Sequence, residues 1–241
     1  MKKKQAVIMA GGKGTRLRPY TYVLPKPLVP VGERPILELL LQQLAQSHVT
    51  QVVIVGGYKA EILMAVIGDG HKFGVDISYY IEESPLGTMG ALSFLDSLDD
   101  NFLVMNGDIC TNLNFHDLLV AHKQSGCALT VGSYPRKEQL ELGVLELDAS
   151  QSRIVGFKEK PVQEVFVSMG VYGLSRKALS FIPTGKFFGF DNLMHNLLAV
   201  GEPINSYLFS GRWYDIGRPD DYALVQDAFE KEGHTLFGLQ L

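Results

Sequence analysis

The sequence predicts an α/β fold in which a mostly parallel sheet is covered by helices on both faces. Short apolar runs of strand length alternate with stretches of helical periodicity along the first half of the chain. A glycine-rich turn follows the first of these runs directly. Beyond residue 133 the apolar runs come closer together, which predicts a smaller mixed β subdomain placed against the first half.

The elements of the first half follow from periodicity and from turn residues. Pro35 suits the first turn of a helix whose apolar residues, from Ile36 to Leu44, fall on one stripe. The runs at 51–55 and 102–105 are almost entirely apolar, as buried strands are. These patterns predict strands at 5–10, 51–55, 76–81, 102–105 and 127–132, and helices at 35–44, 59–67 and 114–123. Such an order is typical of a Rossmann-like sheet.

The second half is expected to hold the mixed β subdomain and the last helices. Strands are predicted at 143–147, 153–158 and 165–173, with a turn near 149–151, and helices at 175–181, 190–200 and 219–231. The tail after Gly233 carries no charge other than that of His234, so it could be core, a subunit contact or the stub of an interaction segment. We expect a single domain over 1–241, divided near residue 133.

Composition limits the class of protein. A net charge of −4 gives no support for a general nucleic-acid binder. No apolar run approaches the roughly 20 residues of a membrane helix, and the stretch after the first lysines is too short for a signal peptide. Cys110 and Cys127 are the two cysteines, with no CxxC pair. These features predict free thiols, no metal cluster and a cytoplasmic location.

The glycine-rich turn has the composition of a phosphate-binding loop. Three glycines in four positions, at 11–14, allow backbone N–H groups to approach a ligand closely. Neither of the two common phosphate motifs fits, because Gly14 stands where a Walker loop has Ser or Thr and Leu17 stands where a dinucleotide loop has its last glycine. No acidic residue interrupts the loop and its cations, which are Lys13, Arg16, Arg18 and Lys26.

The stretch GGKGTRLRPYTYVLPKPLVPV at 11–31 resembles the signature of the sugar-phosphate nucleotidylyltransferases, and further matches run to about residue 222. The resemblance implies that a nucleoside triphosphate and a sugar 1-phosphate give a nucleotide-sugar and pyrophosphate, with Mg²⁺ as cofactor. It implies a nucleotide-binding half at 1–133 and a sugar-binding half at 134–241. We expect no nucleic-acid or membrane partner, and no repeat-rich C-terminal domain of the kind many relatives carry. A homodimer is one possible state of assembly.

The resemblance also implies roles for the charged residues. Arg16 would meet the pyrophosphate end of the nucleotide, and Lys26, held between two prolines, would meet the phosphate being joined. Asp108 follows a buried strand, where a carboxylate is costly unless it turns toward a site, although an Asp after Asn-Gly is also common in turns. By resemblance, Asp108 and Asp215 would hold Mg²⁺.

Further residues match the family's substrate contacts. Gly143, Glu159, Lys160 and Gly170 would lie near the sugar phosphate; without the family, the alternating stretch at 157–161 reads as an exposed edge strand. Many relatives carry Asn where Ser168 stands, so the identity of the sugar stays open. The nucleotide would be contacted by Ala10, Gly11, Gly12, Lys13, Gly14, Thr15, Glu82, Gly87 and Thr88.

Glu82 bears on the choice of base. Guanine presents two adjacent donors, which a carboxylate can accept together, whereas the Gln of many thymidylyl- and uridylyl-transferring relatives would set a donor against a donor. The stretch at 82–92 resembles guanylyl-transferring relatives, with mannose 1-phosphate or a heptose 1-phosphate as acceptor. Uridylyl or thymidylyl transfer stays open, as does an exposed helix-start Glu. A catalytically silent nucleotide-sugar sensor is the alternative from a different class.

Overall fold

A computed structural model describes residues 4–239 of the chain. The strands are β1 (Gln5–Met9), β2 (Pro30–Val31), β3 (Arg34–Pro35), β4 (Gln51–Gly56), β5 (Asp76–Ile81), β6 (Asn101–Asn106), β7 (Ile109–Thr111), β8 (Leu129–Gln139), β9 (Val144–Leu147), β10 (Ile154–Lys158), β11 (Val162–Ser175), β12 (Ile204–Leu208) and β13 (Trp213–Asp215). The α-helices are α1 (Ile36–Gln46), α2 (Ala60–Ile67), α3 (Gly87–Gly90), α4 (Phe115–Ser125), α5 (Phe190–Ala199) and α6 (Pro219–Glu232).

A seven-stranded sheet in the order β12-β8-β11-β6-β1-β4-β5 forms the centre of the fold. The neighbours β6, β1, β4 and β5 are parallel, and β12 is parallel to β8, whereas β11 is antiparallel to both β6 and β8. The predicted mostly parallel, Rossmann-like sheet is confirmed. Parallel strands end at a common edge, which is where such sheets bind ligands.

Helices cover both faces of this sheet, as predicted. Successive residues of β1 point to opposite sides, so that Ile8 packs in a core cluster with α1, α2 and α4, while Val7 packs in a second cluster with α3 and α5. A third cluster lies between the start of α1, strand β7 and helix α6, and includes Leu17 and Ile216. The tail residues Leu236, Phe237 and Leu239 are buried in this third cluster. Of the alternatives for the tail, core is therefore the one observed up to Leu239; residues 240–241 lie outside the described residues.

The smaller β region is built from long strands that leave the central sheet. Strand β8 continues to Gln139, and β11 spans 14 residues, so their outer ends form an antiparallel pair beyond the core. The antiparallel hairpin β9–β10 lies between them in sequence, with its turn at the predicted place. Burial changes from complete to slight along β8, which is why the sequence indicated only its first, apolar part.

Other differences are local. The segment 175–181, predicted as a helix, is a 3₁₀ helix at Arg176–Phe181. Strands β7 and β12 were not predicted, since three- and five-residue strands give little periodicity. No helix over residues 4–239 is long and apolar enough to cross a bilayer.

Candidate active site

A cavity of about 450 Å³ opens at the carboxyl ends of β1 and β6, where the register pairs Met9 with Asn106. Its wall combines the glycine-rich loop, the start of α3 and the turn after β6. The lining residues are Met9, Ala10, Gly11, Gly12, Gly14, Thr15, Arg16, Lys26, Pro27, Glu82, Pro85, Gly87, Thr88, Asn106, Gly107, Asp108, Phe187 and Gly217. The cavity therefore joins motifs that are far apart in sequence.

The glycine-rich loop requires glycine at position 14. Gly14 has φ +58, and a Cβ there would lie 2.8 Å from the Cγ2 atom of Thr21 and 3.1 Å from the Cβ of Lys26. The Thr21 hydroxyl donates to the Gly14 carbonyl at 2.8 Å. The segment that follows is fixed by Lys59, whose amine donates to the carbonyls of Tyr22 at 2.6 Å and Val23 at 3.0 Å. The loop is thus braced from outside and leaves its lining face to the cavity.

Glu82 lies directly against this loop. Its Oε1 accepts a hydrogen bond from the backbone N–H of Leu86 at 3.1 Å, and a Cβ on Gly11 would come within 2.5 Å of its Oε2. Partial burial raises the pKa of Glu82, an effect that the Leu86 hydrogen bond opposes. Gly11 therefore allows the glycine-rich loop to approach the Glu82 carboxylate, and one carboxylate oxygen lies beside the loop.

The start of α3 is held by a segment that the sequence did not indicate. The N–H groups of Met89 and Gly90 both donate to the Phe188 carbonyl at 3.0 Å, and the Phe188 N–H donates to the Leu86 carbonyl at 2.8 Å. Gly87 has φ +77, and a Cβ there would lie 2.7 Å from the Phe188 carbonyl oxygen. These contacts place Phe187 on the cavity wall. Phe187 stands next to Phe188 and close to Phe190, and the sequence carries no signal that separates a cavity-lining Phe from a core Phe.

Four charged residues lie close together at the cavity, at what we call its charged end. Lys26 forms an ion pair with Asp108, and both side chains are largely buried. Strand β13 pairs with β7 so that Asp215 stands opposite Ile109, the residue after Asp108. A Cβ on Gly217 would lie 3.3 Å from Asp215 Oδ2 and 3.5 Å from Arg16 Nη1, so this glycine lies beside both groups.

Electrostatics couple these groups. Partial desolvation of its carboxyl and then the negative charge of Asp108 raise the pKa of Asp215, while Lys26 and Arg16 oppose the rise. Asp215 as a whole residue is exposed, but its carboxyl turns toward the charged end. No group of three or more His, Cys, Asp or Glu side chains suited to a metal ion occurs within residues 4–239. Two carboxylates that repel each other are nevertheless a fit for a cation whose other ligands come from phosphate and water.

The predicted nucleotide and catalytic residues largely converge. Ala10, Gly11, Gly12, Gly14, Thr15, Arg16, Lys26, Glu82, Gly87, Thr88 and Asp108 all line the cavity. Asp215 does not line the cavity, but its carboxyl lies beside Gly217, which does. Lys13 is exposed and does not line the cavity. Asn106 and Gly217 were not singled out, although each stands within two residues of an aspartate that was.

The predicted sugar residues lie elsewhere. Gly143, Glu159 and Lys160 are exposed and do not line the cavity. A Cβ on Gly143 would lie 2.6 Å from the Phe157 ring and 3.3 Å from Glu159 Oε2, which places Gly143 beside Glu159. Lys160 pairs with Glu141 at 3.3 Å. These three residues therefore form a separate group.

Gly170 is different, because it is buried behind the cavity wall. It has φ +72, and a Cβ there would lie 2.6 Å from the Nδ2 atom of Asn106, which itself lines the cavity. Gly170 thus allows the Asn106 side chain to lie against β11.

Comparison with known proteins shows the family of this chain. A family model described as nucleotidyl transferase matches residues 5–232. The chain belongs to this family. Over 229 residues it is 32% identical to a mannose-1-phosphate guanyltransferase of Candida albicans, covering 90% of this chain and 62% of that protein. Over 238 residues it is 31% identical to a UTP–glucose-1-phosphate uridylyltransferase of Synechocystis, covering 90% and 61%.

The fold is shared with solved structures of relatives. The crystal structure of HddC from Yersinia pseudotuberculosis matches with a TM-score of 0.72 at 24% identity, covering 94% of this chain and 99% of that chain. The family inferred from the motif at 11–31 is confirmed. The chain spans somewhat less than two thirds of the length of the curated relatives named above.

Proposed function

We propose that this nucleotidyl transferase moves a nucleoside monophosphate from a nucleoside triphosphate to a sugar 1-phosphate, releasing pyrophosphate. The observation that carries the proposal is the convergence of Arg16, Lys26, Asp108 and Asp215 at the charged end of a cavity that Glu82 also lines. This reaction must hold the triphosphate and the sugar phosphate, which repel each other, close together. Cationic side chains and a metal ion can do this.

The proposed roles follow the charges. A sugar phosphate oxygen is already an anion and attacks the α-phosphorus in line, so no general base is needed. Arg16, as a planar fork, would bind the β- and γ-phosphate oxygens and stabilise the charge that develops on the leaving pyrophosphate. Lys26, already buried beside Asp108, would bind the phosphate that is transferred. Its position between Pro25 and Pro27 limits how far the backbone under it can move.

Mg²⁺ is the cofactor that this chemistry implies. Asp108 and Asp215 would hold it together with phosphate oxygens and water, and when bound it supplies charge neutralisation at the reacting phosphates. The support is electrostatic: partial desolvation and then the charge of Asp108 raise the pKa of Asp215, so the pair gains from an added cation. Lys26 offsets the Asp108 charge in the protein alone.

We propose a guanosine triphosphate substrate, with mannose 1-phosphate or a heptose 1-phosphate as acceptor. Glu82 supports this choice because one of its oxygens lies beside the cavity-lining loop, where it could accept guanine's donors. Several relatives carry the name mannose-1-phosphate guanyltransferase. A uridine or thymidine triphosphate is the alternative within the class, since a uridylyltransferase is similar at 31% identity.

The acceptor sugar would be bound in the second half of the chain, over 134–241. Glu159 would accept hydrogen bonds from sugar hydroxyls, Lys160 would meet the sugar's phosphate, and the backbone at Gly143, which lies beside Glu159, would approach the sugar. Gly170 would act by placing Asn106 at the cavity wall. We also propose a cytoplasmic location, for which the free thiols of Cys110 and Cys127 are the support.

The test is pyrophosphate release over a matrix of four nucleoside triphosphates and several sugar 1-phosphates, with and without Mg²⁺. The expected result is metal-dependent release that is fastest with guanosine triphosphate and one of the two proposed acceptors. Fastest release with uridine or thymidine triphosphate would support the alternative base. If no pair releases pyrophosphate, a catalytically silent nucleotide-sugar sensor becomes the better description.

A further inference from the structure

We propose that Phe187 is a stacking platform for the nucleotide base, an inference that rests on the proposed nucleotide site. Phe187 lines the cavity, yet the residue is 70% exposed and belongs to none of the three core clusters. The backbone hydrogen bonds between Phe188 and the segment 86–90 place Phe187 next to the start of α3, where Gly87 and Thr88 also line the cavity. An exposed aromatic face on the wall of the proposed nucleotide site is suited to a planar base.

The backbone on both sides of Phe187 is fixed. Phe188 donates to the Leu86 carbonyl and accepts from two N–H groups of α3, and the Phe190 N–H donates to the Thr88 hydroxyl at 2.9 Å. A Cβ on Gly90 would lie 2.7 Å from the Lys186 carbonyl oxygen, so the two segments are in direct contact. The Phe187 ring is therefore carried on a segment whose backbone is hydrogen-bonded to the start of α3.

This arrangement divides the work of base recognition. The Phe187 side chain has no donor or acceptor, so it can hold any base by its π-face but cannot choose among bases. Glu82, on the same side of the cavity, has the acceptors that can choose. We infer that Phe187 supplies affinity for the base and that Glu82 supplies selectivity.

The test measures equilibrium binding of guanosine triphosphate, uridine triphosphate, mannose 1-phosphate and tripolyphosphate, which has no base. Phe187→Ala should weaken both nucleotides by about tenfold, and by similar factors, while tripolyphosphate binds as to the wild type. Phe187→Trp should retain nucleotide affinity because it keeps a flat aromatic face. Phe187→Leu should bind nucleotides more weakly than the wild type because it has no flat face.

Phe166→Ala is the matched control. Phe166 is 64% exposed on the outer part of β11 and does not line the cavity, so this change should leave nucleotide binding unaltered. Any one of three results would overturn the proposal. These are unchanged nucleotide affinity in Phe187→Ala, equal weakening of tripolyphosphate, or wild-type affinity in Phe187→Leu. Weakened binding of the sugar 1-phosphate alone would place the ring at the acceptor and would overturn it too.

Binding and turnover separate this proposal from the proposed reaction. If no substrate pair releases pyrophosphate but nucleotide binding still depends on Phe187, the reaction is wrong and the stacking site stands. If pyrophosphate is released and Phe187→Ala changes neither affinity nor KM for the triphosphate, the reaction stands and the stacking site is wrong.

Discussion

The two carboxylates at the charged end give the first prediction for single residues. Asp108→Asn and Asp215→Asn should each lower kcat by about a hundredfold or more at saturating Mg²⁺, because each removes a charge from the proposed metal site without changing side-chain size. Thermal unfolding should show that both variants stay folded. Steady-state pyrophosphate release over a Mg²⁺ series is the measurement.

Asp96→Asn is the control for these variants. Asp96 is exposed and lies outside the cavity lining. Removing its negative charge therefore tests for an effect of net charge alone. It should leave kcat and the Mg²⁺ dependence at wild-type values. Near-normal activity of Asp108→Asn or Asp215→Asn at limiting Mg²⁺ would remove that residue from the metal site.

Glu82→Gln is a nearly isosteric test of base choice. The Gln carbonyl can keep the hydrogen bond from the Leu86 N–H, and its NH₂ group then replaces the oxygen that lies beside Gly11. A donor opposite guanine's donors leaves polar groups unpaired, at a cost of roughly 1–3 kcal/mol, or about tenfold in kcat/KM. The preference for guanosine over uridine triphosphate should narrow or reverse.

Competition between the two triphosphates measures this change. The KM for the sugar 1-phosphate should stay at its wild-type value in Glu82→Gln. An unchanged preference would mean that Glu82 only supports the turn to α3, and that backbone groups near Ala10 and Gly87 choose the base.

The sequence predicted those cavity-lining residues that stand in a short, recognisable motif. Gly11, Arg16 and Asp108 stand in strings where glycines, cations or a carboxylate interrupt apolar strands, and all three line the cavity. Phe187 was missed because a Phe on a cavity wall and a Phe in a core look alike in sequence. Burial decides between them, and burial depends on segments that are distant along the chain.

At the scale of elements, the contact between α3 and the segment before α5 yields a stability prediction. Gly87→Ala combines a positive φ with a clash against the Phe188 carbonyl, whereas Gly126→Ala has a similar φ of +65 and open space around the new Cβ. The strain alone, roughly 1–2 kcal/mol, should lower the Tm of Gly126→Ala by roughly 2–8 °C. The Tm of Gly87→Ala should fall by at least about twice as much as that of Gly126→Ala.

Nucleotide affinity tests the same pair of glycine variants in a second way. Gly87→Ala should weaken guanosine triphosphate binding because it displaces the segment that carries Phe187, and Gly126→Ala should not. Equal Tm values for the two variants would show that the α3 contact yields without strain, contrary to the geometry.

Helix α4 carries a buried histidine that makes stability depend on pH. His122 packs against Gly173 of β11 and hydrogen-bonds Thr130 of β8 through Nδ1 at 2.9 Å. Burial lowers the pKa of His122 to about 4, against about 6.5 when unfolded. The unfolded chain therefore binds the extra proton first, so this contribution is present above pH 6.5 and is lost as pH falls toward 4.

Urea unfolding between pH 4 and 7 measures this contribution. His122→Leu should flatten the pH dependence of the free energy of unfolding by up to about 1.4 kcal/mol per pH unit, whatever its effect on absolute stability. His195→Leu, at an exposed position on α5, is the control and should keep the wild-type slope. Identical slopes for His122→Leu and the wild type would mean that His122 titrates normally in the folded protein.

The elements also show where periodicity fails. Strands β1, β4 and β6 are buried on both faces and were predicted from their apolar runs, because such runs leave few alternatives. The outer parts of β8 and β11 are exposed on both faces, and their pairing with each other depends on register rather than on an apolar pattern. Their full length could not be deduced from composition.

At the scale of the whole molecule, the third core cluster links the C-terminal tail to the site. Phe237, from the tail, is buried together with Leu17 and Ile216. Leu17 follows Arg16 directly, and Ile216 follows Asp215. Packing in this cluster therefore fixes the two segments that carry the proposed phosphate and metal ligands.

Phe237→Ala tests this link, with Phe115→Ala as its control. Both rings are fully buried, but Phe115 lies in the cluster under α1, α2 and α4. Each change should cost roughly 3–5 kcal/mol and lower Tm by roughly 6–20 °C. At a temperature where both variants stay folded, Phe237→Ala should also lower kcat and weaken tripolyphosphate binding, because Arg16 and Asp215 lose their support. Phe115→Ala should change Tm alone. If kcat fell equally in both variants, general loss of stability would explain the effect, and the third cluster would have no special role at the site.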